Sequence, residues 1–297
     1  MLKYEKGCDN MQKLVKILFG VVIFAVIIAC IFLYSIYYRV EHVKINHKTL
    51  SSNKISENLN DITIGYISDI YYNEFMHEQR LESMLNTYEK SSADVCIFGG
   101  DLFSKRLLKE ISEEDIEKLT TLLKDIEAPL GKFAILGDCD LLDEERQELV
   151  TNILMDADFE IISSKPIQIR TSQYSDSLTL VGIDSYLQNT IDTEKITSET
   201  GKENFHLLVT HCPDFVSQGI LDMSSYDAII AGHSLGGQIR LPLLGATHYP
   251  EGAKQYTHGT YQLNTSNLYV CNGLGTMNID MRLLAAPEII VLKLQSQ

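Results

Sequence analysis

Apolar residues fall along this chain in distinct patterns. From Ile17 to Tyr38 they are continuous: the segment ILFGVVIFAVIIACIFLYSIYY carries no charge. At ~1.5 Å per helical residue such a run crosses a bilayer core. Tyr34, Tyr37 and Tyr38 close it, where aromatic rings favour the interface. From Ile62 onward, short β-branched runs stop abruptly in polar loops: ITIGYISD, DVCIFGGD, KFAILGDCD, FHLLVTHCPD, YDAIIAGHS and LYVCNGLGT. These are predicted strands whose carboxyl ends carry Asp, His and Gly. Between them the period changes. Ser112 heads SEEDIEKLTTLLKDIE, with acids in the first turn and Ile116, Leu119, Leu122, Leu123 and Ile126 at helical spacing. HEQRLESMLNTYEK and DEERQELVTNILMDA follow the same pattern. Strands alternating with helices predict an α/β domain, in which ligands sit beyond the carboxyl ends of the strands.

The pattern divides the chain into a short tail (1–16), a transmembrane helix (17–38), a polar juxtamembrane linker (39–60) and a large domain (61–297). A cleaved signal peptide is the rival for the apolar run, but the run exceeds a usual h-region and no A-x-A follows it. IIAC, ending at Cys30, faintly resembles a lipoprotein cleavage box. Lys3, Lys6, Lys13 and Lys16 precede the run, and Arg39, Lys44, Lys48 and Lys54 follow it. A short N-terminal tail before a long acidic domain favours a single-pass protein of the cell membrane with the domain extracytoplasmic.

Composition narrows the partners. The formal net charge of −15 disfavours nucleic acid, whose binding depends on Lys and Arg neutralising phosphates. An acidic protein that handles anionic substrates needs metal ions or local basic groups to do so. The six cysteines do not read as a disulfide framework. Cys8 lies in the tail, Cys30 in the apolar run, and Cys96 and Cys271 in strand-like runs.

The stretch AGHSLGGQ contains Gly232-His233-Ser234-Leu235-Gly236, a match to the G-x-S-x-G nucleophile elbow. An elbow requires a helix after the serine, yet GGQIRLPLLG holds two glycines and Pro242. The downstream acid and histidine that the triad order demands are also poorly supplied. Asp280 has no histidine after it, and Glu251 and His258 share one loop. A serine hydrolase using Ser234 is therefore the distant alternative. Asp69, Asp101, Asp138, His211 and His233 point elsewhere, since each stands just past a predicted strand. One such Asp is ordinarily a turn former or helix cap. Carboxylates and imidazoles gathered on one sheet edge are what two-metal phosphoester hydrolysis uses, with cations ~3.5–4 Å apart clamping the phosphate.

With those residues in view, the region from about Ile62 to Leu294 resembles the calcineurin-like metallophosphoesterases of the membrane-associated bacterial type. SDIYYN, GGDLF, LGDCD, THCPD and AGHSLGGQ stand in order where the family has D-x-H, G-D, G-N-H-D/E, H-x-P and G-H-x-H-G-G-Q. The resemblance implies a four-layer sandwich, two packed β-sheets flanked by helices, preceded here by the transmembrane helix. It also implies metal ligation by Asp69, Asp101, Asp138, His211 and His233. Three family histidines are replaced: Tyr71 and Leu235 stand at degenerate ligand positions, and Cys139 occupies the position of the catalytic histidine. By resemblance, one metal position is emptied. The other keeps Asp101, Asp138, His211 and His233, implying one divalent ion of Mn, Fe or Zn. No catalytic residue is assigned. Two functions stay open: a metallophosphoesterase of reduced or lost activity on a phosphoester substrate, lipid-linked given the anchor, or a pseudoenzyme that binds or senses at the membrane. A missing general acid alone costs ~10²–10⁴ in rate. On this resemblance Ser234 is the variable x of G-H-x-H, Asp140 orients the neighbouring loop, and Cys139 and Cys212 are two unpaired thiols.

Overall fold

The computed structural model describes residues 2–106, 111–170, 177–188, 191, 193–194, 196 and 204–297, with side chains described from residue 13. Helix α1 runs Leu2–Leu33 and continues through a wider turn at Tyr34–Tyr38. It includes the stretch expected as a tail. Its part from Lys13 to Tyr38 is long and apolar enough to cross a membrane, a property a signal sequence shares.

Two six-stranded sheets follow. The first has the order β1 (Lys44–Ser52), β14 (Glu288–Ser296), β2 (Thr63–Ile67), β3 (Val95–Phe98), β4 (Lys132–Ala134), β5 (Phe159–Ile161). β2, β3, β4 and β5 are parallel, β14 is antiparallel to β2, and β1 is parallel to β14 from Lys44↔Glu288 to Ser52↔Ser296. The second has the order β12 (Gly259–Gln262), β13 (Asn267–Val270), β9 (Ala228–Ala231), β8 (Phe205–Thr210), β7 (Ser177–Ile183), β6 (Pro166–Arg170). Its four central strands are parallel and its two edges antiparallel. A small hairpin, β10 (Arg240–Leu241) with β11 (Gly245–Ala246), stands apart.

The alternation of side chains explains the layers. Ile64, Tyr66, Ile97 and Leu292 of the first sheet meet Leu180, Leu207, Val209 and Ile230 of the second in a buried core between them. The opposite face of the first sheet, with Ile67, Cys96 and Phe98, packs under α2 (Glu78–Glu89), α3 (Glu113–Lys124) and α4 (Glu144–Asp156). Central strands thus have two buried faces, which is why they read as continuous apolar runs. Each of these three helices begins at a side-chain cap: His77 accepts from Arg80 N, Ser112 from Asp115 N, and Asp143 from Arg146 N.

One expectation needs correction. The segment expected as a juxtamembrane linker carries β1. KINHKTLSS is mostly polar because it is an edge strand with Leu50 as its one buried residue, held to β14 through its backbone. The domain therefore begins almost directly where α1 ends. Ser35, fully buried, accepts a hydrogen bond from Arg282 N at 3.0 Å, and buried Arg80 donates to Val40 O at 2.8 Å.

Candidate metal centre

The parallel strands of both sheets deliver their carboxyl ends to one place. Asp69 follows β2, Asp101 follows β3, and Asp138 lies four residues beyond β4. His211 follows β8 and His233 lies just past β9. All five are buried, and their ligand atoms fall into overlapping groups: Asp69, Asp101, His211 and His233 in one, Asp101, Asp138 and Cys139 in another. Main-chain bonds hold the strand ends together: Asp69 N to Gly100 O at 2.9 Å, Gly232 N to His211 O at 3.1 Å, and Gly275 N to Asp69 O at 2.7 Å. Glycine is needed where these loops touch. A Cβ on Gly137 would lie 2.0 Å from Asp101 Oδ1, and one on Gly232 would lie 2.8 Å from Asp69 Oδ2.

The loop backbone is strained at the same positions. Asp69, Tyr71, Asp101, His233 and Leu235 all have positive φ, between 51° and 65°. For residues other than glycine this conformation costs ~1–3 kcal/mol each, and it clusters where side chains must be aimed.

The protonation pattern is fixed from outside the cluster. His211 Nδ1 lies 2.7 Å from Gly99 O, and His233 Nε2 lies 2.7 Å from Glu251 O. A carbonyl only accepts, so both outer nitrogens carry the proton. In the neutral rings the inner nitrogens, His211 Nε2 and His233 Nδ1, are then bare lone pairs 3.1 Å apart. Asp138 Oδ1 sits 3.2 Å from the first and 3.0 Å from the second. Asp101 Oδ2 is 3.4 Å from His211 Nε2. Four electron-pair donors facing one another without a hydrogen between them repel, and a divalent cation resolves this. Outward carbonyl partners are also the usual means of aiming ligating imidazoles. The donor set therefore fits a metal. Without one, Asp101 and Asp138 favour a proton on His211 and hold its pKa high although burial opposes it. Burial likewise opposes ionisation of Asp138, but hydrogen bonds from the two histidines hold its carboxyl far below the usual range.

Around Asp69 the surroundings differ. Ser68 Oγ donates to Asp69 Oδ2 at 2.6 Å and His233 N donates to the same oxygen at 3.0 Å. Tyr71 Oη donates to Asp101 Oδ2 at 2.9 Å and reaches Asp69 Oδ1 at 3.4 Å. Burial, with Asp101 and Asp69 beside it, pushes the Tyr71 phenol well above its ordinary value, so it remains a donor. Tyr71, Cys139 and Leu235 form a small buried apolar cluster flanked by Met277. The Cys139 thiol also points at Asp101 Oδ2, at 3.3 Å. Burial and the neighbouring aspartates push its pKa well up, so it is not a ready thiolate.

The other residues singled out in the sequence make local contacts. Asp140 accepts from Asp101 N at 2.7 Å, Gly137 N at 2.9 Å and Leu102 N at 3.0 Å, which ties the β3 and β4 loops together. Burial, then Asp101, raise its pKa to about 7. Cys212 lies 3.5 Å from Ser185 Oγ, and both it and Cys139 are free thiols. Ser234 is buried. Its Oγ accepts from Gly236 N at 3.1 Å and donates to Cys271 O at 3.4 Å, and the residues after it form a turn and the β10–β11 hairpin in place of a helix.

Sequence reasoning missed three contributors. Lys105 Nζ pairs with Asp138 Oδ2 at 2.8 Å from the rim of a cavity of about 240 Å³ lined also by His233, Gln188 and Glu251. Arg282, fully buried, donates to Leu235 O at 2.8 Å and Asn272 O at 3.0 Å, and also to Gly273 O and Gly275 O, so it braces the loops behind the site. Ser68 was the third. A polar residue beside a recognised Asp, and Lys105 four positions past Asp101, were the faint signals for two of them; Arg282 had none.

A calcineurin-like phosphoesterase model matches residues 62–237, more than half of the 297-residue chain, and covers all five strand-end residues. The chain belongs to the calcineurin-like phosphoesterase family. Among curated members, the uncharacterized metallophosphoesterase YkuE of Bacillus subtilis is 28% identical over 77% of this chain and 77% of its own length. Phosphodiesterase YaeI of Escherichia coli is 24% identical over 80% of this chain and 83% of its own. Among solved structures, a dimetal phosphatase from Danio rerio aligns with a TM-score of 0.44 at 12% identity, covering 72% of this chain and 88% of that one.

Proposed function

We propose that this chain is a single-pass membrane protein whose domain holds one divalent cation (Mn, Fe or Zn) at Asp101, Asp138, His211 and His233. It binds a phosphoester there and hydrolyses it slowly. The observation that carries this is the convergence of His211 Nε2, His233 Nδ1 and Asp138 Oδ1 at 3.0–3.2 Å, while the outer ring nitrogens lie 2.7 Å from Gly99 O and Glu251 O. A cation at that point supplies positive charge to a phosphoryl oxygen and acidifies water. The chain's own groups do the rest. Lys105, paired with Asp138 Oδ2, lines the same cavity as His233 and adds positive charge where a phosphate would enter. Tyr71 supports slow chemistry, because its phenol is directed at Asp101 and Asp69 from the side where a second cation would have to lie. Cys139 adds no acid at neutral pH.

A non-catalytic binding or sensing domain is the second reading, favoured by the closed cluster of Tyr71, Cys139 and Leu235. Both readings place α1 across the membrane with the domain on the outer side, which favours a phosphoester presented at the membrane surface, including a lipid-linked one. Elemental analysis of the full chain in detergent, with hydrolysis of bis-p-nitrophenyl phosphate measured with and without Mn²⁺, tests the proposal. One metal per chain with slow, metal-dependent turnover supports it, and one metal with no turnover selects the second reading. Two metals, or none with a melting temperature indifferent to EDTA, refute the site.

A further inference from the structure

The β10–β11 hairpin ends in Leu241-Pro242-Leu243-Leu244, four exposed residues. Solvent-facing turns are ordinarily built from Gly, Pro, Asn, Asp and Ser, which accept or preset the backbone conformation or hydrogen-bond it. This turn has Pro242 and closes on Gly245, but between them it places two leucines. Leu243 is entirely outside the fold, with a relative exposure of 107%, and its φ is +68°, a conformation that suits glycine and strains leucine. Leu244 is 81% exposed. An apolar side chain that gains no burial and sits in a strained backbone is unexplained by the stability of the domain, and points to a partner.

The position of the hairpin identifies that partner. Ile239 pairs with Leu283, Arg240 N donates to Leu283 O at 2.9 Å, and the adjacent Arg282 N donates to Ser35 O at 3.0 Å. Ser35 lies inside the apolar run of α1. The edge of the domain that carries the hairpin is therefore fastened to the last turns of the membrane helix. Leu284 and Ile279, both exposed, lie on the same connecting segment, and Tyr37 and Leu33 are exposed on α1 itself. Exposed apolar residues thus stand on both sides of the junction that Arg282 N and Ser35 O form.

We propose that the β10–β11 hairpin is a second membrane contact, with Leu243 and Leu244 inserted into the headgroup–acyl boundary of the bilayer that α1 crosses. This rests on the assignment of α1 as a membrane span. Such contacts bury an apolar face ~5–10 Å deep without crossing. They also fix orientation, because a single helix leaves its domain free to tilt and a second contact removes that freedom. The cavity lined by Ser234, Leu235, Ile239, His248, Met277 and Ile279 lies between the hairpin and the Met277–Ile279 segment, so docking would hold its walls at the lipid surface.

The chain contains no tryptophan, which makes the test direct. Three full-length variants, Leu243→Trp, Phe24→Trp and Met155→Trp, are reconstituted into phosphatidylcholine vesicles with or without bromine on the upper acyl carbons. Phe24 is in the apolar run, whereas Met155 is exposed on α4 beside β5, at the opposite edge of the first sheet from β1. The expected result is that bromolipid removes most of the emission of Leu243→Trp and Phe24→Trp and leaves Met155→Trp unchanged. Quenching of Phe24→Trp alone overturns the hairpin contact while leaving the span intact. Quenching of neither overturns the span and the contact together. Quenching of all three shows unspecific adsorption and overturns the assignment to this edge.

Discussion

Removing a single oxygen from Tyr71 tests the architecture of the site most sharply. In Tyr71→Phe the ring remains, so its packing against Cys139 and Leu235 is retained and no sizeable cavity opens. What disappears is the 2.9 Å hydrogen bond to Asp101 Oδ2 and the weaker 3.4 Å approach to Asp69 Oδ1. Asp101 is fully buried, and its other partners on this side are Cys139 N at 2.9 Å and the Cys139 thiol at 3.3 Å. A hydrogen bond to a charged acceptor contributes about 1.5–3 kcal/mol, and more is lost when the acceptor stays behind unsatisfied. A loss of ~2–3 kcal/mol corresponds to a fall of roughly 4–12 °C in a domain of this size, at ~2–4 °C per kcal/mol. The assay is calorimetric melting of the full chain in detergent at one fixed free Mn²⁺ concentration, since ligand binding itself moves the transition. An unchanged or higher melting temperature would show that the phenol is not holding Asp101, and the role proposed for Tyr71 would fail.

The remaining predictions address neighbouring parts. Tyr71→His with Leu235→His should raise bound metal from one toward two per chain by elemental analysis, because both positions keep the left-handed backbone, φ 51° and 52°, that aims a side chain into the site. Ser234→Ala should leave any phosphodiester hydrolysis unchanged, and a fluorophosphonate probe should not label the wild-type chain; stoichiometric labelling at Ser234 would contradict the buried, backbone-bonded hydroxyl. Arg282→Met should cost about 3–5 kcal/mol in the same melting assay by stranding buried carbonyls, and Arg282→Lys should not rescue it, because an ammonium lacks the planar fork.

What could be read in the sequence follows from where each signal originates. Strands β2, β3, β4, β8, β9 and β13 were visible because burial on both faces makes an apolar run and the polar loop marks its end. Asp69, Asp101, Asp138, His211 and His233 were visible because each stands at such an end. β1 was not, since an edge strand that buries only Leu50 has no periodicity to show. The groups that fix the imidazoles were invisible for a deeper reason: Gly99 and Glu251 act through backbone oxygens, which every residue possesses. Arg282 is selected by three-dimensional proximity, and nothing in the residues around it reports it; Lys105 has only its nearness to Asp101 in the chain. Two glycines and Pro242 mark the absence of a helix after Ser234, but nothing in the sequence marks the leucines of the hairpin tip as exposed.

The place of β14 has a consequence for the order in which the molecule is made. It is the last strand in chain order, yet it lies between β1 and β2 and is hydrogen-bonded to both. As the chain emerges, β1 must wait for more than two hundred residues before its neighbour exists. Through that interval β1 and β2 each present an unpaired edge, the situation in which strands find wrong partners. Closure of so distant a contact is slow. Until Glu288 and the residues after it have been made, the first sheet stays split between β1 and β2.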